Sequence, residues 1–206
     1  MADRDWDAHY ASGELPWDTG EPDPRLVEAV ESGTIPVGRA LEVGCGTGTN
    51  ARWLAERGFD VLGLDLAPLA IEAARAKRPR RDGCVFEVAD FLTGDGPEGP
   101  FDFVFDRGVF HVFDEADRRA EFASRVAAAL RPGGLWLSLI GSTEGPPRDH
   151  GPPRRSAREV LDAIEPSVEL VSLRSIVFDA DAPTPPKAWA VLSRRRAIEA
   201  QPSSRH

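Results

Sequence analysis

The chain has 206 residues, 41% of them hydrophobic, and a formal net charge of −9. That is enough apolar content to bury one core in one domain over 1–206. The acidic balance lacks the basic excess that drives binding to phosphate backbones or anionic lipid, so neither nucleic acid nor a membrane is expected as a partner. Arg154, Arg155 and Arg158 form only a small basic group at a helix start.

Residues 1–10 are charged and polar, unlike a signal peptide, and no apolar run approaches the length that spans a bilayer. A cytoplasmic protein is expected. Cys45 and Cys84 lack metal-type spacing and read as small apolar fillers in a reducing compartment, so no metal site is expected.

In chain order, a helix over 24–32 follows Asp23 and opens with Pro24, and a buried strand over 39–43 comes next. A helix over 49–57 ends at Gly58, followed by a strand over 60–64 and a helix over 67–78 with Pro68 in its first turn. Strands over 85–88 and 101–105 precede a helix over 114–130, where Phe122, Val126 and Leu130 recur at spacing four on one face. Pro132-Gly133-Gly134 stops that helix ahead of a strand over 135–140. Such alternation of apolar strands and helices predicts right-handed crossovers and a parallel sheet, hence an α/β fold.

The interval 141–153 holds four prolines and three glycines and is too irregular for an element. It leaves a strand's carboxyl end, where ligands bind in open α/β sheets, so 141–155 is read either as a plain surface connection or as a lid over a substrate site. Ser156-x-x-Glu159 has the form of a capping box ahead of Val160, Leu161 and Ile164. Strands over 170–178 and 187–194 then form a hairpin across the proline-rich 179–186.

The most informative segment is Leu41-Glu42-Val43-Gly44-Cys45-Gly46-Thr47-Gly48, with Leu62-Gly63-Leu64-Asp65 following at the next strand. Glycines at alternate positions allow a turn with unusual dihedrals and let a ligand approach the main chain. A dinucleotide fingerprint would need glycine or alanine where Thr49 stands, which weakens that alternative. The loop resembles that of class I S-adenosylmethionine-dependent methyltransferases, E/D-x-G-x-G-x-G. The resemblance implies a Rossmann-like three-layer sandwich with a mostly parallel seven-stranded sheet ending in an antiparallel hairpin, and S-adenosyl-L-methionine as cofactor.

By that resemblance Glu42 lies near the cofactor's amino-acid portion, and Gly44, Cys45 and Gly46 offer main-chain contacts. Asp65 meets the ribose diol with Leu66 beside it. Asp90 accepts from the adenine amino group, Phe91 packs on the ring, and Asp106 ends beside the methyl group. Glu42, Asp65, Asp90 and Asp106 each close a strand of one predicted sheet, which strengthens the assignment of all four.

Trp6-x-x-x-Tyr10-x-x-Gly13, then Pro16-Trp17-Asp18-Thr19-Gly20, and Asp106-Arg107-Gly108 after the fourth strand resemble a narrower branch. This branch comprises the thiopurine, thiol and halide methyltransferases and the tellurite-resistance enzymes, and the likeness spans roughly 6–140. Tyr10 departs from the branch's second tryptophan by adding a hydroxyl. The resemblance implies that 1–23 form an aromatic cap over the cofactor, with Tyr10 and Trp17 in contact with it; aromatic faces attract a sulfonium cation and exclude water.

Methyl transfer from a sulfonium is an in-line displacement, so a soft nucleophile such as a thiolate needs no general base, whereas a phenol or amine would. His111 is the candidate base. Arg107 is the candidate for orienting an anionic substrate, its structural alternative being an ion pair with a carboxylate such as Asp106. The [ND]-P-P-[YF] signature of amide and base methylation is absent after the fourth strand, which counts against DNA, RNA or glutamine as acceptor.

The leading expectation is a methyltransferase acting on a small-molecule thiol or other soft nucleophile, as a monomer or weak homodimer. The alternatives are O- or N-methylation of a small aromatic metabolite and a non-catalytic S-adenosylmethionine-binding sensor. A nicotinamide oxidoreductase stands behind these.

Overall fold

The computed structural model describes residues 5–197 apart from 14, 78, 80, 81, 95, 148–150 and 181–183. Seven strands form one sheet: β1 Arg39–Val43, β2 Asp60–Asp65, β3 Cys84–Val88, β4 Phe101–Arg107, β5 Leu130–Gly141, β6 Glu169–Val177 and β7 Lys187–Arg194. Their spatial order is β3-β2-β1-β4-β5-β7-β6. Strands β1 to β5 run parallel, and β7 pairs antiparallel with both β5 and β6. This is the expected Rossmann-like sheet with its closing hairpin, and its strand order reverses between β1 and β4, where open α/β sheets bind ligands.

Among the described residues six α-helices flank the sheet: α1 Trp6–Ser12, α2 Pro24–Glu31, α3 Thr49–Glu56, α4 Pro68–Ala76, α5 Ala116–Ala129 and α6 Ala157–Ile164. Alternation along the strands divides the core in two. Leu41, Val43, Val104 and Trp136 face one side, packed with Phe122 and Val126 of α5 and Val160 and Ile164 of α6. Ala40, Phe103, Phe105 and Leu137 face the other, packed with Leu26 of α2, Trp53 and Leu54 of α3 and Ile71 of α4. Phe101, Phe103, Phe105, Phe110, Phe122 and Trp136 are fully buried, each contributing roughly 1.5–3 kcal/mol relative to exposure.

Helix punctuation follows the sequence signals closely. The Asp23 side chain caps α2 by accepting from Arg25 N at 2.9 Å, with Pro24 in the first turn. In α6, Ser156 Oγ accepts from Glu159 N at 3.2 Å while Glu159 Oε2 accepts from Ser156 N at 2.8 Å. Helix α1 was not foreseen, although Asp5 at its N-cap and Gly13 at φ 72° are ordinary start and stop signals.

Pro132-Gly133-Gly134 does not separate α5 from β5. The strand begins at Leu130, opposite Phe101, and the register then jumps so that Leu135 opposes Phe103. The motif is a bulge inside the strand, with Gly133 at φ 78°. The expected helix over 67–78 ends at Ala76, and Arg78 lies outside the described residues.

The segment 141–155 is pinched at its base: Arg155 N donates to Gly141 O at 2.8 Å, Thr143 N to Arg155 O at 3.2 Å, and Arg154 Nε to Ser142 O at 3.0 Å. No described helix is long and apolar enough to cross a membrane. Among the described residues no group of three or more His, Cys, Asp or Glu could hold a metal ion. Both thiols are free, and burial pushes Cys84 up to about 11 and Cys45 upward as well, which suits filler better than nucleophile.

Candidate active site

The carboxyl ends of β1, β2 and β4 meet at the glycine loop. Gly44, Gly46 and Gly48 adopt φ of 69°, 54° and 78°, a conformation that L side chains resist. A Cβ on Gly44 would stand 2.3 Å from Val109 Cγ2, and one on Gly46 would stand 3.0 Å from the Tyr10 hydroxyl. The main chain between them is therefore open to close approach. Asp65 anchors the loop by accepting from Gly46 N at 2.8 Å through Oδ2 and from Ala67 N at 2.9 Å through Oδ1. Burial raises the Asp65 pKa, against the opposing pull of those amides.

Glu42 lies beneath this loop, 1% exposed. Its Oε1 accepts from Asn50 Nδ2 at 3.0 Å, and its Oε2 has no hydrogen-bond partner among the described residues. Burial raises the carboxyl to about 8. A buried carboxyl oxygen left unmatched is costly and marks a place that a donor or cation can fill.

The N-terminal segment lies against the loop. Asp7 Oδ1 accepts from Leu69 N at 3.1 Å, and Thr47 Oγ1 donates to Asp18 Oδ2 at 2.6 Å. Lys77 Nζ donates to Thr47 and Thr49 hydroxyls at 2.6 and 3.0 Å. Trp6, His9 and Trp17 form a ring cluster with centroids 5.8–6.2 Å apart. The Tyr10 hydroxyl sits over Gly46, where burial and the neighbouring Asp65 hold it far above an ordinary phenol's pKa, so it stays a neutral donor.

Arg107 gathers the parts together. Its Nε donates to Asp23 Oδ2 at 2.7 Å, its Nη1 to Trp17 O at 2.9 Å and its Nη2 to Asp179 O, and it lies 5.4 Å from the Phe178 ring centroid. The ion-pair partner is Asp23, not the adjacent Asp106. Strand alternation explains the difference, because Arg107 faces the side of α2 and α3 while Asp106 faces that of α5.

The Asp106 side chain accordingly turns away from the glycine loop. It is fully buried on the far side of the sheet, accepting from Phe110 N at 3.2 Å and Trp136 Nε1 at 2.9 Å. It fixes the turn into the short 3-10 helix Phe110–Val112. Burial raises its pKa to about 6.

His111, in that turn, is 5% exposed and its Nδ1 accepts from Gly141 N at 2.8 Å. The tautomer this bond assigns carries the proton on Nε2, which makes the ring a donor and not the acceptor that a base role needs.

At the other end, Asp90 Oδ1 accepts from Leu92 N at 2.9 Å and Thr93 N at 3.4 Å. Burial opposes its ionisation, yet the bonds from Thr93 and Leu92 hold its pKa below the usual value. Phe91 is 7% exposed and meets Phe122 edge-on at 5.5 Å, so its ring belongs to the core and only its main chain is offered at the strand end. Leu66 and Val88 leave apolar surface exposed beside Asp65, at 40% and 48%.

The structure thus brings Tyr10, Trp17, Glu42, Gly44, Cys45, Gly46, Asp65, Leu66 and Arg107 around one cradle and leaves the Asp106 side chain outside it. Asp18, Asp23, Thr47, Asn50 and Val109 were not selected from sequence; Asp18 lay within the recognised Pro16-Trp17-Asp18 motif, whereas Asn50 carried no signal.

This sheet, with a glycine loop and acidic strand ends at its switch point, defines a Rossmann-like methyltransferase fold. Residues 1–191 match the family model for thiopurine S-methyltransferase, and the chain belongs to that family. A probable thiol methyltransferase 2 of Arabidopsis thaliana is 36% identical over 151 residues, 72% of this chain and 65% of that protein. A 2-heptyl-1-hydroxyquinolin-4(1H)-one methyltransferase of Mycobacteroides abscessus is 32% identical over 152 residues, 72% of this chain and 66% of that protein. The match therefore spans slightly less than two thirds of these relatives' length. A structure solved in work on conversion of a disulfide bond into a thioacetal group during echinomycin biosynthesis is 32% identical, with a TM-score of 0.79 over 93% of this chain and 92% of that one.

Proposed function

We propose that the protein is an S-adenosylmethionine-dependent methyltransferase acting on a small-molecule thiol or other soft nucleophile. The observation that carries this is the unmatched, buried Oε2 of Glu42 under the Gly44 to Gly46 main chain, in a chain of the thiopurine S-methyltransferase family. An acidic cradle suits a sulfonium ligand bearing an ammonium group and disfavours a pyrophosphate. The donor set fits: Glu42 for the ammonium, Gly44, Cys45 and Gly46 main chain for the amino-acid portion, Asp65 and Tyr10 for the ribose, and Asp90 with the Phe91 main chain and Leu66 for the base.

When bound, S-adenosyl-L-methionine supplies an electrophilic methyl group on a positively charged sulfur. The chain's own residues then orient and dehydrate. Trp17, Tyr10 and Phe178 wall the reacting space with aromatic surface, and Arg107 fixes the cap and the hairpin loop relative to the end of β4. We assign Arg107 and His111 positioning roles, because the guanidinium is engaged by Asp23, Trp17 and Asp179, and Nδ1 of the imidazole by Gly141. A thiolate acceptor needs no base, in keeping with that assignment.

O-methylation of a small heterocyclic hydroxyl compound is the second reading, favoured by the likeness to the hydroxyquinolone methyltransferase. We further read the chain as one cytoplasmic domain, monomeric or weakly dimeric, with 141–155 as a cover on the acceptor side. Calorimetric titration with S-adenosylmethionine and with NAD, then turnover of aromatic thiols, iodide, tellurite and phenols followed as S-adenosylhomocysteine formation, tests the proposal. Absence of binding to the sulfonium compound rejects it.

A further inference from the structure

Among the described residues Glu42 makes no ion pair, although it is buried and keeps one oxygen unmatched. Arg107, the cation of the neighbouring strand, is committed to Asp23, and Lys77 of the segment after α4 bonds the Thr47 and Thr49 hydroxyls. The other ionisable groups around it are Asp65 at the end of β2, which opposes negative charge there, and the thiols of Cys45 in the glycine loop and Cys84 at the start of β3, whose own pKa values the Glu42 carboxylate helps to push up. From α3 it receives only the neutral Asn50 amide and the influence of the Ala51 main chain. A carboxylate so placed, 1% exposed with one oxygen unmatched, pays for desolvation without an ion pair.

Resting on the cofactor reading above, we propose that Glu42 is a proton-exchange subsite: it holds a proton in the ligand-free protein and gives that proton to solvent when a ligand's ammonium group takes its place beside Oε2. The balance is simple. The carboxyl O–H bond breaks, its electron pair stays on Glu42, the proton goes to buffer, and the new contact is carboxylate to ammonium. Burial is the largest cause and, with Asp65 adding to it against the Asn50 and Ala51 bonds and the pull of Arg107, the free carboxyl lies at about 8, so the protonated form predominates at pH 7. The subsite therefore selects ligands bearing a cationic amino-acid head and makes their affinity depend on pH.

The sign follows from linkage: binding that releases a proton tightens as pH rises toward the free-state pKa and levels off above it. The test is calorimetry of the full chain at pH 7 in phosphate and in Tris, whose ionisation enthalpies differ, with two probes. S-adenosylhomocysteine carries the ammonium head; 5′-methylthioadenosine lacks it. Expected are release of close to one proton with the first and close to none with the second, and a gain of about tenfold per pH unit in affinity for the first between pH 6 and 7.5.

Glu42→Gln keeps the shape and the Asn50 contact and is expected to abolish both proton release and pH dependence. Should that variant fail to fold, the two-buffer and two-probe comparison on the unaltered protein still decides. Binding of S-adenosylhomocysteine without proton release overturns this inference and leaves the methyltransferase proposal standing; failure of both probes and of S-adenosylmethionine to bind overturns both.

Discussion

Arg107 and Asp23 form a 2.7 Å ion pair whose side chains are 13% and 4% exposed, joining the end of β4 to the N-cap of α2. The same Asp23 also donates its main-chain N to Asn50 Oδ1 at 2.8 Å, and Asn50 in turn bonds Glu42. One polar chain therefore runs from Glu42 at the glycine loop to Arg107 at the end of β4. Arg107→Ala or Asp23→Ala leaves a nearly buried charge alone and is expected to cost about 3–5 kcal/mol, with less than that for the double replacement. Urea denaturation of the two single variants and the double variant reads the coupling; additive losses would deny it.

Gly46→Ala confronts both a left-handed φ of 54° and the Tyr10 hydroxyl 3.0 Å from the added methyl. The backbone contribution is about 1–2 kcal/mol. In a Tyr10→Phe background the steric part is removed, so the same substitution should cost measurably less. Equal costs in the two backgrounds would mean that the cap does not press on the loop.

Thr47→Val deletes the 2.6 Å bond to Asp18 and should destabilise the cap's docking by about 1 kcal/mol. The expected signature is faster release of bound S-adenosylhomocysteine, followed in a stopped-flow instrument by the fluorescence of Trp6 and Trp17. An unchanged release rate would show that the cap does not limit ligand exit.

Asp106 holds its proton up to about pH 6 in the native state, against 3.8 for an ordinary aspartate. Between these values the native state binds more protons than the unfolded one, so stability falls as pH rises, by at most about 1.4 kcal/mol per unit. Above pH 6 this contribution is spent, while Glu42 continues the decline to about 8. Denaturation midpoints of Asp106→Asn should show a shallower slope between pH 4 and 6, where Glu42 also contributes, and an unchanged one between 6 and 8. Retention of the full wild-type slope below pH 6 would remove Asp106 from that role.

His111→Ala removes the acceptor of Gly141 N and should lower stability by about 1–3 kcal/mol. Thiol methylation should keep its wild-type pH profile at a reduced rate. Selective loss of phenol methylation would instead restore His111 as a base.

Much of the fold was legible because each signal was local: the capping box at Ser156, the cap at Asp23 and the apolar strands all act within a few residues. The placement of Glu42 and Asp65 at the glycine loop was legible because their strand positions fix where they emerge. The facing of the Asp106 side chain was not legible, because one residue along a strand reverses the face and nothing in Asp106-Arg107 tells which of the two turns toward the glycine loop. Phe91 followed the same pattern, its ring drawn inward by Phe122. The pairing of Arg107 with Asp23 spans 84 positions and no local pattern announces it.

Strand β7 comes last in the chain yet lies inside the sheet, between β5 and β6. During synthesis β6 emerges before it has a partner, and the edge of β5 stays open until β7 leaves the ribosome. The loop joining β6 to β7 carries Asp179, one of the groups that Arg107 holds. The surroundings of Arg107 are thus completed only after β7 has been made, and until then the unpaired edge of β5 exposes the nascent protein to aggregation.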